Sequence, residues 1–139
     1  MEKNIYPSYA YLKESIEKEE LYIGMHENKV ISAMIVNTHG NESYQQAKWN
    51  ASLKQGEYVV IHALGVMPGN IKQGAGRQMV EYVKKENKQN YKAIRLDVLK
   101  GNLAASILYE SAGFVKVDTI PMYYEDTGWT DFEMYEYVL

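Results

Sequence analysis

From Ser8 to Glu19 the apolar residues Tyr9, Leu12 and Ile16 recur at spacings of three and four among Lys and Glu. That period predicts a short amphipathic helix, which Pro7 and Ser8 are suited to begin. The pattern then changes. Leu21 to Met25 is a short apolar run, His26-Glu27-Asn28-Lys29 is a polar turn and Val30 to Val36 is a second apolar run, which together predict a β-hairpin. Asn37 to Gln55 is polar and reads as a loop with one helical turn around Gln45 to Lys48.

Tyr58 to Val66 is different, because both alternating sets are mostly apolar: Val60, His62, Leu64 and Val66 on one face, Val59, Ile61 and Ala63 on the other. A strand of that kind is covered on both sides and belongs in the middle of a sheet. Gln78 to Lys88 carries Met79, Val80 and Val83 as a helical stripe, Ala93 to Leu99 is a strand, Asn102 to Ala112 a helix and Gly113 to Val117 a strand. The tail from Tyr123 contains a last strand centred on Phe132 to Val138. This order of strands and helices argues for a parallel pair with a crossover helix inside a mixed sheet.

Composition narrows the function. A chain of 139 residues with 46% hydrophobic and 24% charged residues fits one globular domain, 1–139. A net charge of −3 gives no sign of nucleic acid or an anionic membrane as partner, which favours small-molecule chemistry. No apolar stretch approaches the roughly 18 residues that span a bilayer, and the polar start Met1-Glu2-Lys3-Asn4 is not that of a signal peptide. The absence of Cys excludes thiolate nucleophiles and suits a cytoplasmic location. Tyr is 13 against Phe 2, so many aromatic rings carry a hydroxyl able to sit in a wet cleft.

The stretch Val66-Met67-Pro68-Gly69-Asn70-Ile71-Lys72-Gln73-Gly74-Ala75-Gly76-Arg77 runs from the buried strand into a helix. Gly74 and Gly76 permit close approach of a ligand to the backbone, the free N–H groups of a first helical turn attract an anion, and Lys72 and Arg77 add positive charge. Alone, the stretch equally reads as a glycine turn that merely starts a helix. No Gly-Lys-Ser/Thr follows, so it is not a P-loop, and Met79 stands where a dinucleotide fingerprint needs its third glycine. A second cluster, Asn102, Ala105, Leu108, Tyr109, Gly113 and Phe114, lies on or just after one helix, with Ala105 and Tyr109 one turn apart and Asn102 placed to cap it.

Taken together, the two stretches resemble the GCN5-related N-acetyltransferase (GNAT) family, in which a glycine turn after a central strand is followed by Asn-x-x-Ala-x-x-Leu-Tyr-x-x-x-Gly-Phe. The resemblance covers roughly Leu21 to Leu139. It implies an α+β fold of three layers, α/β/α, whose mixed, mostly antiparallel sheet splays at a parallel strand pair. It further implies an acetyl-CoA-dependent N-acyltransferase that acetylates a primary amine, with a small-molecule or peptide acceptor. Backbone groups of Leu64, Gly65 and Val66 are expected to pair with the pantetheine of acetyl-CoA, those of Gln73, Gly74, Ala75, Gly76 and Arg77 to hold the pyrophosphate, and Lys72 and Arg77 to reach phosphates, with Asn102 beside them. Tyr109 matches the family's proton donor to the leaving thiolate, protonated at neutral pH as a phenol is. For the base, His62 offers an imidazole with an ordinary pKa of about 6.5, and Glu57 is the runner-up. His26 and His39 show no metal-ligand spacing with carboxylates.

Two departures accompany the resemblance. Ile71 replaces the usual Gln or Arg that opens the turn, and the chain starts after the strand and helix with which family members begin. Leu21 to Met25, without charge or Pro, is then expected to be a sheet edge that recruits a second copy, giving a homodimer. Glu125, Asp126, Asp131 and Glu133 around Trp129 offer negative charge to a cationic acceptor, and equally read as solvated loop carboxylates. Two alternatives stand beside the enzyme: a non-catalytic acyl-CoA-binding module, and a nucleotide-binding module of unrelated fold.

Overall fold

Residues 9–67, 69 and 74–139 are described by a computed structural model. The expectations for Pro7 and Ser8 and for Pro68 and Asn70 to Gln73, Lys72 included, lie outside the described residues.

The first apolar stripe forms helix α1, Tyr9–Glu17. Strands β1, Leu21–His26, and β2, Lys29–Asn37, form the expected hairpin. It closes through Glu27 and Asn28, both at positive φ, the geometry of a tight hairpin turn that matches strand twist. Strand β3, Tyr58–Val66, pairs antiparallel with β2. Helix α2, Ala75–Asn87, leads to strand β4, Ala93–Leu99, and helix α3, Leu103–Ser111, leads to the hairpin of β5, Val115–Tyr124, and β6, Gly128–Val138. Among the described residues six strands lie in the order β1-β2-β3-β4-β6-β5, and β3 and β4 are the one parallel pair.

The parallel pairing is short. Tyr58, Val59 and Val60 pair with Ala93, Ile94 and Arg95, and beyond them Ile61 to Val66 and Leu96 to Leu99 have no ladder between them. The sheet therefore splays at its centre. On one face α2 and α3 bury Met79, Val80, Val83 and Tyr109 against Val59, Ile61, Ile94, Leu96 and Tyr135. On the other face Tyr44, Val60, Ile120, Met122, Phe132 and Met134 form a second core. Alternation along β2 and β3 turns Asn37 and His62 to this second face, where Tyr11 of α1 meets His62 edge-on at 6.2 Å between ring centroids. These are the three layers.

Two elements differ from expectation. The strand expected to end at Val117 continues to Tyr124, because Ile120 and Met122 keep pointing inward past Pro121. β5 is an edge strand, where the missing N–H of Pro121 is tolerated. The helical turn expected around Gln45 to Lys48 is a 3-10 turn earlier in the polar segment, at Glu42–Gln46, and the segment is tied down over the second core. Arg95 and Glu136 are cross-strand partners, both buried, with Arg95 Nε donating to Glu136 Oε2 at 2.9 Å. Glu136 Oε1 accepts from the backbone N–H of Asn50 and Ala51, Arg95 donates to the Ala51 carbonyl, and its guanidinium lies over the rings of Trp49 and Tyr58 at 4.4 and 4.2 Å. A buried ion pair survives in an apolar interior when its remaining hydrogen-bonding capacity is used in this way.

Candidate active site

The splay opens a cleft of about 690 Å³ between β3 and β4, bordered by the start of α2 and by α3. Val66, Gly74, Gly76, Arg77, Asn102 and Tyr109 line it, so the two motifs of the sequence meet across one cavity. On the β3 wall, Gly65 and Val66 pair with Ala33 and Ser32 of β2, while the β4 side of this strand end has no strand partner. Unpaired strand groups of this kind accept an extended ligand as an additional strand. Leu64 belongs to the same strand segment.

Gly74 precedes α2 with φ 76°, a left-handed conformation strained for any residue with a Cβ, and no side chain caps the helix. The N–H groups of Ala75, Gly76 and Arg77 begin the helix without intrahelical acceptors. A Cβ built on Gly74 or on Gly65 meets nothing within 4 Å, so both glycines face open space of the kind a cofactor chain needs. Arg77 is held loosely, with Nε 3.4 Å from Glu81 and Nη1 3.5 Å from the Ser111 hydroxyl, and stays half-exposed. Asn102 caps α3 by accepting from the Ala105 N–H at 3.3 Å.

Tyr109 is buried, its ring packed edge-on against Phe114, yet its hydroxyl has no hydrogen-bond partner among the described residues. Burial, and then the nearby charge of Asp97, push its pKa well above that of an ordinary phenol. It keeps its proton at any physiological pH.

Asp97 stands on β4 where the strands part and was not singled out from the sequence. Its Oδ2 accepts from the Tyr44 hydroxyl at 2.6 Å and the Tyr124 hydroxyl at 2.8 Å. Burial raises its pKa, and the two phenol hydrogen bonds oppose that rise without cancelling it. The signal available in the sequence was a lone acid between Leu96 and Val98 in an apolar strand. Asp97, Ile61 and Leu99 also wall a second cavity of about 150 Å³, together with His62, Tyr124, Asp126, Thr127 and Phe132. The two cavities thus adjoin at Asp97.

His62 borders the second cavity. Asn37 Oδ1 accepts from the His39 N–H at 2.9 Å, so the same oxygen must accept from His62 Nε2 at 2.8 Å, which places the ring proton on Nε2. Burial lowers the pKa of His62 to about 4, leaving the ring uncharged at neutral pH. Because the native value lies below that of the unfolded chain, this contribution to stability is present above pH 6.5 and is lost as pH falls toward 4. The difference corresponds to about 3 kcal/mol. Urea melts at pH 7.5 and pH 4 are expected to show His62→Gln losing less stability than the unsubstituted chain by about this amount. Equal losses in the two proteins exclude a buried, uncharged His62.

Glu57 lies at the paired end of β3 and lines neither cavity. The backbone N–H of Lys54, then Lys92 at 2.9 Å, hold its carboxylate below the usual range. Of the acids around Trp129, Asp126 reaches the second cavity, while Glu133 pairs with Lys116 at 3.0 Å. Among the described residues no group of three or more His, Asp or Glu is placed to hold a metal, and no helix is long and apolar enough to cross a membrane.

A family model described as an acetyltransferase (GNAT) domain matches residues 17–116. A putative acetyltransferase of Staphylococcus aureus Mu50 superposes with a TM-score of 0.73 at 24% identity, covering 96% of this chain and 81% of the other. A GNAT-family acetyltransferase of Streptococcus agalactiae 2603 gives 0.82 at 14% identity, covering 96% and 73%. A GNAT-family acetyltransferase of Elizabethkingia anophelis, solved with acetyl-CoA bound, gives 0.68 at 19% identity, covering 96% and 85%. No curated protein matches the chain. With the domain match running from the end of α1 into β5, and both sequence motifs seated on the walls of one cleft, the chain belongs to the GNAT acetyltransferase family.

Proposed function

We propose that the protein transfers an acetyl group from acetyl-CoA to a primary amine by direct attack. The observation that carries this reading is the position of Tyr109, a buried phenol with an unpartnered hydroxyl, in a cleft that adjoins a second cavity at the carboxylate of Asp97. The splayed end of β3, at Leu64, Gly65 and Val66, is assigned the pantetheine arm. Gly74, Ala75, Gly76 and Arg77, with Lys72 and Gln73 before them in sequence, are assigned the pyrophosphate, and Asn102 borders the same cleft.

Bound acetyl-CoA supplies a thioester whose acetyl carbon forms a C–N bond with the amine as the C–S bond breaks. Tyr109 gives its proton to the departing sulfur. The amine N–H proton goes to the second cavity, where His62 and Asp97 are the two groups able to receive it. Burial makes His62 a poor base and its Nε2 is already committed to Asn37, whereas burial makes Asp97 more basic, and Asp97 is assigned the proton. Passage of that proton back to the phenol through solvent restores both groups.

CoA or acetyl-CoA at about 100 times its dissociation constant is expected to stabilise the fold by roughly 2.7 kcal/mol. Arg77→Glu is expected to shrink the melting shift more than Lys88→Glu, which lies past the helix end. A shift with ATP and none with CoA replaces this reading with nucleotide binding. CoA binding with no turnover of any amine leaves the non-catalytic acyl-CoA-binding alternative.

The chain lacks Cys, which supports a cytoplasmic setting. We also propose a homodimer through β1. It is a sheet edge with Ile23 and Met25 51% and 61% exposed, and a register shift at Gly24/Met25 limits its regular stretch to Leu21 to Gly24. Light scattering is expected to give about twice the 16.0 kDa of one chain. A monomer at high concentration overturns the pairing.

A further inference from the structure

The amine acetyltransferase reading, on which this inference rests, leaves the acceptor unspecified, and the cavity beyond Asp97 narrows it. Its walls alternate in kind. Ile61, Leu99 and Phe132 are apolar, Asp97 lies at the junction with the cofactor cleft, and Asp126, which is exposed, belongs to the turn after β5. Among the described residues neither carboxylate is paired with a cation, and no Lys or Arg lines the cavity. His62 adds no positive charge at neutral pH. Two carboxylates alone do not make a site. This pair walls a cavity that shares Ile61, Asp97 and Leu99 with the cleft lined by Tyr109, whose buried hydroxyl has no hydrogen-bond partner among the described residues.

Size restricts the ligand further. The cavity holds about 150 Å³, and an apolar cavity of about that volume accommodates benzene, about six non-hydrogen atoms. A chain of four methylenes with a nitrogen at each end has the same count.

We propose that the acceptor is a short aliphatic diamine, with its reacting nitrogen beside Asp97, its methylenes against Leu99 and Phe132, and its second, protonated nitrogen at Asp126. A monoamine of equal length leaves Asp126 without a partner. An amino acid of equal length brings a carboxylate to it. In the transfer, the nitrogen at Asp97 attacks as the neutral amine, forming the C–N bond while the C–S bond breaks. Its N–H proton passes to Asp97 and the phenol proton of Tyr109 to sulfur, while the nitrogen at Asp126 stays protonated throughout.

Calorimetric titration of the CoA complex, which cannot react, with 1,4-diaminobutane, butylamine and 4-aminobutanoate reads this without turnover. The diamine is expected to bind at least about tenfold more tightly than butylamine, the size of effect one added charge-assisted contact gives, and aminobutanoate not to bind. Asp126→Asn is expected to reduce the preference for the diamine to within about twofold. Equal affinity for diamine and butylamine, binding of neither, a preference unaltered by Asp126→Asn, or tighter binding of a lysine-containing peptide each overturns the proposal. A diamine bound with the expected preference but never acetylated from acetyl-CoA upholds the cavity assignment and removes the acetyltransferase reading instead.

Discussion

Tyr109→Phe is expected to lower turnover by roughly 100-fold or more while acetyl-CoA affinity stays nearly unchanged, the usual scale of a lost general acid. The substitution removes one hydroxyl that no described residue engages, so the ring keeps its packing on Phe114 and the fold loses no hydrogen bond. Thermal stability should therefore match that of the unsubstituted chain, and a fall in kcat without a rise in KM for acetyl-CoA separates a proton donor from a packing residue. Equal turnover in the two proteins excludes Tyr109 as the donor.

Asp97→Asn is expected to cost roughly 100-fold in kcat and to abolish the acid limb of the pH profile. In the unsubstituted enzyme that limb lies above the ordinary carboxylate range, because burial favours the neutral acid more strongly than the Tyr44 and Tyr124 hydrogen bonds favour the anion. The same shift fixes the sign for stability. A carboxyl raised on folding stabilises the native state fully below its unfolded pKa, and this contribution disappears as pH rises through the native value. At pH above that native value the ionised Asp97 is thus held at a cost, and Asp97→Asn, which still offers an oxygen to both phenols, is expected to melt higher there while turning over less. A variant that is both slower and less stable places Asp97 in the framework of the fold and not in the reaction.

The parts of this molecule legible in the sequence are those whose cause is local. β3 shows its central position because its two faces are both mostly apolar within nine residues, and β4 matches its expected bounds. The glycine turn and the helix after Asn102 announce the cleft because the steric need for glycine and the cap are written at fixed short spacings. Asp97 was illegible for the opposite reason. Its environment is made by Tyr44 and Tyr124, 53 and 27 residues distant along the chain. His62 was visible as a polar group on a strand face, but its titration depends on burial contributed by α1 and β2, and that moved an expected near-neutral imidazole to about 4. The polar segment before β3 reads as a loop with one helical turn, and its anchorage is not legible because the Arg95 and Glu136 side chains that hold it come from β4 and β6.

That ion pair gathers residues far apart in the chain around Asp97. Trp49 to Ala51 are fastened to the sheet at Arg95 and Glu136, and the Trp49 indole donates back to the Tyr44 carbonyl at 2.7 Å. The segment and the buried Arg95–Glu136 pair therefore depend on each other, and a displacement that carries Tyr44 along takes one of the two phenol donors from Asp97. A substitution that frees the Trp49 indole from Tyr44 is thus expected to disturb Asp97 without touching it.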